Sequence, residues 1–226
     1  MFMARAITDV SPVYDLADSL QELRVQVGAA RIDLTALPNL RGLSCTWAQV
    51  ADTIGEVTGL DDLFLGGYDE RDLAPLAHLT ALRSLRMKDR PALRSLDGVE
   101  SLPWLAHLGI YLAPLEDTTA LAQIGSPVLT ELILASCRRI VSLSAMSRLI
   151  GLRRLEVSEG GTIESLKPIA DLRLVERLYL YGSTKIADGD LTPLLGMPRM
   201  HDLRIVNRRH YVPSAQEVEA RLGLTR

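Results

Sequence analysis

Aliphatic side chains recur along this chain in a fixed phrase. From Leu73 through Leu76 and Leu79 to Leu82 they fall three residues apart. From Leu82 to Leu85 and Met87 the spacing is three, then two. Period three suits a helical or 3₁₀ arm, and period two suits a strand whose alternate side chains share a face. The strand phrase L-x-x-L-x-L starts nine times, at Leu20, Leu40, Leu60, Leu82, Leu105, Leu129, Leu152, Val175 and Met200. Its intervals are 20, 20, 22, 23, 24, 23, 23 and 25 residues, averaging 22.5. Position four is leucine every time, from Leu23 to Leu203, and position six is always apolar. Cys45 holds a sixth position and so reads as a small buried hydrophobe. A period of this length means a stack of supersecondary units, each burying its neighbour's apolar face.

The return arms carry a second pair of columns. Leu34, Ile54, Leu76, Val99, Met146, Ile169 and Leu194 stand six residues before a strand phrase, with apolar partners three residues later. Pro75, Pro168 and Pro193 precede three of them, which predicts short helical or 3₁₀ turns in place of regular helix. The arm before Leu129 fits only if two residues are inserted around Gly125-Ser126-Pro127, which predicts a protruding loop. Ile7, Val10, Val13 and Leu16 read as an arm with hardly any strand before it. Residues 1–19 are therefore expected to be a partial repeat, with residues 1–6 a ragged first strand or the array cut in its middle. Ser214 to Glu217 forms a capping box with Gly223 as a stop, so residues 213–226 are expected to be a capping helix.

Composition narrows the class. The chain has 226 residues, 47% hydrophobic, 23% charged and only 4% aromatic. Aliphatic groups must fill the core. A net charge of −3 and a pI near 5.8 argue against general nucleic-acid binding. Cys45 and Cys137 lie far apart and belong to no C-x-x-C pair, which fits a reduced, cytoplasmic location. The N-terminus has no apolar signal core, and no run is long enough to cross a membrane.

L-x-x-L-x-L followed by an arm such as Asp72 to Leu79 resembles the short leucine-rich-repeat class seen in bacterial internalin-like proteins. The resemblance covers about residues 7–210. It implies an α/β fold: a right-handed solenoid, or horseshoe, with a parallel sheet on the concave face and short helical or 3₁₀ arms on the convex face. No linker, charge run or low-complexity stretch marks a domain boundary, so residues 1–226 are expected to be one domain with about nine strands. The family's ninth position is Asn or Cys, bonding to the neighbouring turn. Here only Cys137 matches, so that ladder is expected to be mostly absent.

If positions one, four and six face the core, positions three, five and seven face the concave surface, where the family's ligands sit. Position three pairs Glu131 with Arg154 and Arg177 with Asp202 as lateral neighbours, which suits a self-compensated ladder. Tyrosine, phenylalanine and arginine collect in the other columns, and such residues favour binding hot spots. Two patches emerge as candidate partner-binding sites. One is Phe64, Arg86, Lys88, Tyr111 and Ile133. The other is Arg177, Tyr179, Tyr181 and Arg204. Aromatic and β-branched residues also simply suit strands.

Catalytic chemistry is missing. His78, His107, His201 and His210 have no partners at metal-ligand spacing and suit solvated or capping roles. Asp188-Gly189-Asp190 lacks the remaining oxygen ligands of a calcium loop and reads as a turn. No phosphate loop or nucleophile elbow occurs. Arg204, Arg208, Arg209 and His210 form the most basic spot, which could meet an acidic partner. The expectation is a non-enzymatic protein-binding module without cofactor, monomeric alone, touching neither nucleic acid nor membrane. An immunity or inhibitor protein is one form of it. The alternative is a substrate-recruiting or targeting domain of a larger effector or enzyme.

Overall fold

The computed structural model of the chain describes residues 9–25, 28, 30–124 and 128–224. Nine parallel strands form one sheet in sequence order: β1 (Glu22–Val25), β2 (Gly42–Thr46), β3 (Asp62–Gly66), β4 (Ser84–Lys88), β5 (His107–Tyr111), β6 (Glu131–Ala135), β7 (Arg154–Glu156), β9 (Arg177–Leu180) and β11 (Asp202–Ile205). Every one starts at position three of its phrase. β8 (Thr162–Ile163) and β10 (Lys185–Ile186) form a separate parallel pair.

The register aligns equal positions of successive repeats, for example Leu132 with Leu155 and Leu155 with Leu178. The repeat therefore holds in space as it does in sequence. All nine position-four leucines are buried, none above 8% exposure, and sixth positions are buried except Ile205, which is half-buried. Burial of an aliphatic side chain is worth about 1.5–3 kcal/mol, so these two columns and the arm columns hold the stack together. Cys45 lies in this core, and burial pushes its thiol up to about 12.

The arms are 3₁₀ turns, such as Ala74–Leu76, Lys167–Ile169 and Thr192–Gly196, each with a proline in its first turn. Aspartates start several of them. Asp33, Asp117 and Asp190 each accept from the backbone N–H and the hydroxyl of a threonine two residues on. α1 (Trp47–Val50) leaves β2 directly through a Thr46–Gln49 capping box, and the Trp47 ring meets Tyr68 edge-on at 4.6 Å. α2 (Ala215–Arg221) carries the expected Ser214–Glu217 box, with Gly223 left-handed at φ +71°. α2 packs against the turn Thr192–Gly196.

Two expectations change. Leu16, placed in an arm column at the end of the turn Ser11–Leu16, is exposed. The ninth-position ladder is partly rebuilt by other groups. Ser183 donates to the Gly160 carbonyl (2.9 Å), and Arg208 donates to the carbonyls of Gly182 and Thr184 (3.1 Å each). Buried Thr184, one residue further on, donates to the Val157 carbonyl at 2.7 Å. Arg208 is thus taken from the basic spot, and His210 meets the Ile186 carbonyl at 2.9 Å. Just past the strand the chain turns through a left-handed eighth position, at Gly67, Asp89, Leu112, Ser136, Glu159 and Gly182, and only two of these are glycine. The loop expected at Gly125-Ser126-Pro127 and the arm residue Ile7 fall outside the described residues.

Candidate functional site

The open face of the sheet carries both patches. Alternation along each strand sends positions four and six into the core and three, five and seven to the other side. Ile133 and Tyr179 show this most clearly. They are 6% and 8% exposed, yet neither belongs to the apolar core cluster. Their neighbours across the face cover them, not the interior of the solenoid.

Register brings the first patch together. Phe64 stands beside Arg86, Arg86 beside Gly109, and Gly109 beside Ile133. A β-carbon at Gly109 would lie 3.2 Å from the Tyr111 ring and 3.3 Å from Arg86 Cγ, so Tyr111 folds back across the glycine. Lys88 Nζ sits 4.8 Å from the Tyr111 ring centre and 6.0 Å from that of Phe64. Burial first, then the Glu156 carboxylate, raise the Tyr111 hydroxyl above its ordinary pKa. Arg86 Nη2 reaches both Asp62 carboxylate oxygens at 3.2 Å. A hollow of about 280 Å³ opens beside Phe64 and Arg86, walled by Glu22, Arg24, Ser44 and Asp62. A larger one, about 450 Å³, lies on the arm side around Leu37 and Val57.

The second patch centres on Tyr179. Its ring lies between two guanidiniums, Arg204 at 4.5 Å and Arg154 at 5.2 Å, with Tyr181 edge-on at 6.5 Å. Its hydroxyl donates to Asp202 at 2.5 Å. That bond is the main cause lowering the Asp202 carboxyl, while burial and the same bond raise the tyrosine. Arg204 also meets Asp202, at 3.4 Å. The expected lateral ion pair of Arg177 with Asp202 is therefore not formed, although the two are register partners. Tyr181 remains exposed and borders a third hollow, about 440 Å³, with Val206 and Glu219.

Between the patches lies an ionic trio that the columns only half disclosed. Arg154 meets Glu131 laterally at 3.2 Å, as expected, and also Glu156 on its own strand at 2.8 Å. Glu156 is buried and accepts from Ser158 at 2.6 Å. The signal was available, since positions three, five and seven of one strand share a face.

Among the described residues, no group of three His, Cys, Asp or Glu side chains could hold a metal ion. Likewise, no helix there is long and apolar enough to cross a membrane. The Asp188–Asp190 segment is a turn, with Gly189 at φ +69° and the Asp190 N–H on Asp188.

No protein-family model matches this chain, and no curated protein is similar to it in sequence. Solved structures are similar in fold. An internalin, InlF, of Listeria monocytogenes superposes with a TM-score of 0.59 at 18% identity, covering 98% of this chain and 76% of its own. The functional domain of InlJ from the same organism gives 0.67 at 21%, over 89% of this chain and 42% of its own. The leucine-rich-repeat ectodomain of the Arabidopsis thaliana receptor kinase GASSHO1/SCHENGEN3, in complex with Casparian strip integrity factor 2, gives 0.62 at 18%. That alignment covers 88% of this chain and 28% of the receptor's. The fold is the leucine-rich-repeat solenoid, similar to that of the bacterial internalins.

Proposed function

We propose that this chain is a non-enzymatic protein-binding module that holds its partner on the open, concave face of the sheet. One observation carries the reading. A lysine set against two aromatic rings, one of which, Phe64, borders a hollow, occupies a face that contributes nothing to the core. Aromatic and cationic side chains held by a rigid scaffold lose little entropy on binding, which is what makes anchors. Phe64, Arg86, Lys88 and Tyr111 are the first anchors. Arg177, Tyr181 and Arg204 are the second, with Tyr179 and Ile133 as the buried supports beneath them. The solved receptor ectodomain of the same fold, bound to its factor, supports a protein partner.

A cytoplasmic location and a monomer before binding belong to this proposal, as does its narrower form, an immunity or inhibitor protein, which the acidic balance supports. The alternative is a recruiting domain of a larger protein. It is favoured by the chain matching only 42% of InlJ and 28% of the plant receptor.

Affinity capture from the native source with the wild-type chain and with Tyr111→Ala/Tyr179→Ala tests the reading. A partner that is lost from the variant, while the variant melts as a folded protein, is expected. A partner retained equally by the folded variant would overturn the assignment.

A further inference from the structure

Five carboxylates lie in the outward columns, and each is already held. Glu22 meets Arg24, Asp62 meets Arg86, Glu131 and Glu156 share Arg154, and Asp202 meets Arg204 and Tyr179. Lys88 and Arg177 are different. Among the described residues neither has a carboxylate within 4.0 Å. The Tyr111 and Phe64 rings attract the Lys88 ammonium but do not neutralise it. The face thus carries two cations without counter-ions, one in each patch. The Glu131–Arg154–Glu156 trio between them holds two carboxylates on one guanidinium, a net negative charge.

We propose that the segment bound on this face is an acidic protein segment with two carboxylate positions, one for Lys88 and one for Arg177, and a non-acidic middle. This rests on the reading of the open face as the binding surface. Lys88 is at position seven of β4 and Arg177 at position three of β9, four strand steps away. That is about 19 Å across the strands and about 13 Å along them, from a strand spacing of about 4.8 Å and a rise of about 3.3 Å. The carboxylates therefore stand about 23 Å apart along a diagonal, the length of an α-helix of about 16 residues. The central trio repels acid placed over it, and such a repulsive element sharpens specificity against uniformly charged partners. A nucleic acid, with phosphate along its whole length, would set negative charge over Glu131 and Glu156 and fits worse.

Phage-displayed random 16-residue peptides, selected on the immobilised full chain, test this. The same selection is run on Lys88→Glu/Arg177→Glu, on the milder Lys88→Gln/Arg177→Gln, and on Tyr111→Ala. Circular dichroism shows which variants are folded. Wild type is expected to enrich peptides with Asp or Glu towards both ends and none in the middle. Those peptides should be captured about tenfold less by either charge variant that folds, a change of about 1.4 kcal/mol. Enriched peptides that are lost on Tyr111→Ala but have no acidic excess would overturn this inference and leave the binding face standing. Peptides captured equally by Tyr111→Ala, or no enrichment at all, would overturn both. A twenty-nucleotide oligothymidylate binding as tightly as the selected peptides would overturn the protein-segment assignment alone.

Discussion

The Tyr111 ring lies across Gly109, so close that a β-carbon on the glycine would stand 3.2 Å from it. The side chain of position seven thereby covers position five of its own strand. Ile133, the next residue across the sheet, is buried without belonging to the core. Gly109→Ala is expected to lift the ring. The contacts to be displaced are the flexible Tyr111 and Arg86 side chains, so stability should change by about 0.5 kcal/mol or less. The Tyr111 hydroxyl, freed from burial, should titrate at lower pH, towards the ordinary tyrosine value. Difference titration against Tyr111→Phe measures it, and an unchanged titration would show that the glycine is not the floor of the patch.

Adjacent residues on β6 test the alternation itself. Leu132 is fully buried in the core, whereas Ile133 is covered only on the open face. Leu132→Ala should cost about 2–5 kcal/mol in urea unfolding, through lost burial and a cavity. Ile133→Thr should cost about 1 kcal/mol, because the covering side chains can settle onto the smaller group. Equal losses would contradict the assignment of faces.

Left-handed eighth positions give a paired test. At Gly67 (φ +61°) a β-carbon would meet nothing within 4 Å, so Gly67→Ala adds backbone strain alone, about 1–2 kcal/mol. Leu112 sits at the same place two repeats on, at φ +64° and largely exposed. Leu112→Gly relieves comparable strain but adds unfolded-chain entropy, so its thermal midpoint should hold or rise slightly. A large fall would mean that the Leu112 side chain has a packing role.

Acid should loosen the arms. Threonine hydrogen bonds hold the Asp33, Asp117 and Asp190 carboxyls below 3.8. Near pH 4 the folded chain therefore binds fewer protons than the unfolded chain. The stability these groups contribute is complete above 3.8 and is lost as pH falls through their lower folded values. Asn at all three positions keeps a side-chain acceptor without the titration. The triple variant should show a flatter urea midpoint between pH 5 and pH 2 than wild type, by about the linkage expected of depressed carboxylates. Parallel profiles would remove these turns from the acid response.

The columns of the solenoid were legible because one residue, leucine at position four, repeats without exception and stacking requires equal positions to align. Lateral partners followed from that register, and Glu131 with Arg154 formed as expected. What register does not determine is which of several reachable partners a long side chain takes. Asp202 bonds Tyr179 and Arg204 in preference to Arg177, and Arg154 adds Glu156 on its own strand. Burial of Tyr179 and Ile133 has the same origin, since it comes from rotamers of neighbours. The stand-ins for the Asn ladder were hidden differently. Thr184 reaches a backbone carbonyl of the neighbouring turn from the tenth position, and Arg208 reaches two from the ninth with a guanidinium in place of an amide.

Exposed apolar side chains off the open face, Trp104 and Ile150 among them, offer a competing contact surface. Hydroxyl-radical footprinting of the chain with its captured partner separates the two directly. Protection of Phe64, Tyr111 and Tyr181, with Trp104 and Ile150 labelled as in the free chain, is the expected result. Protection of Trp104 and Ile150, with the three open-face aromatics still labelled, would contradict the account.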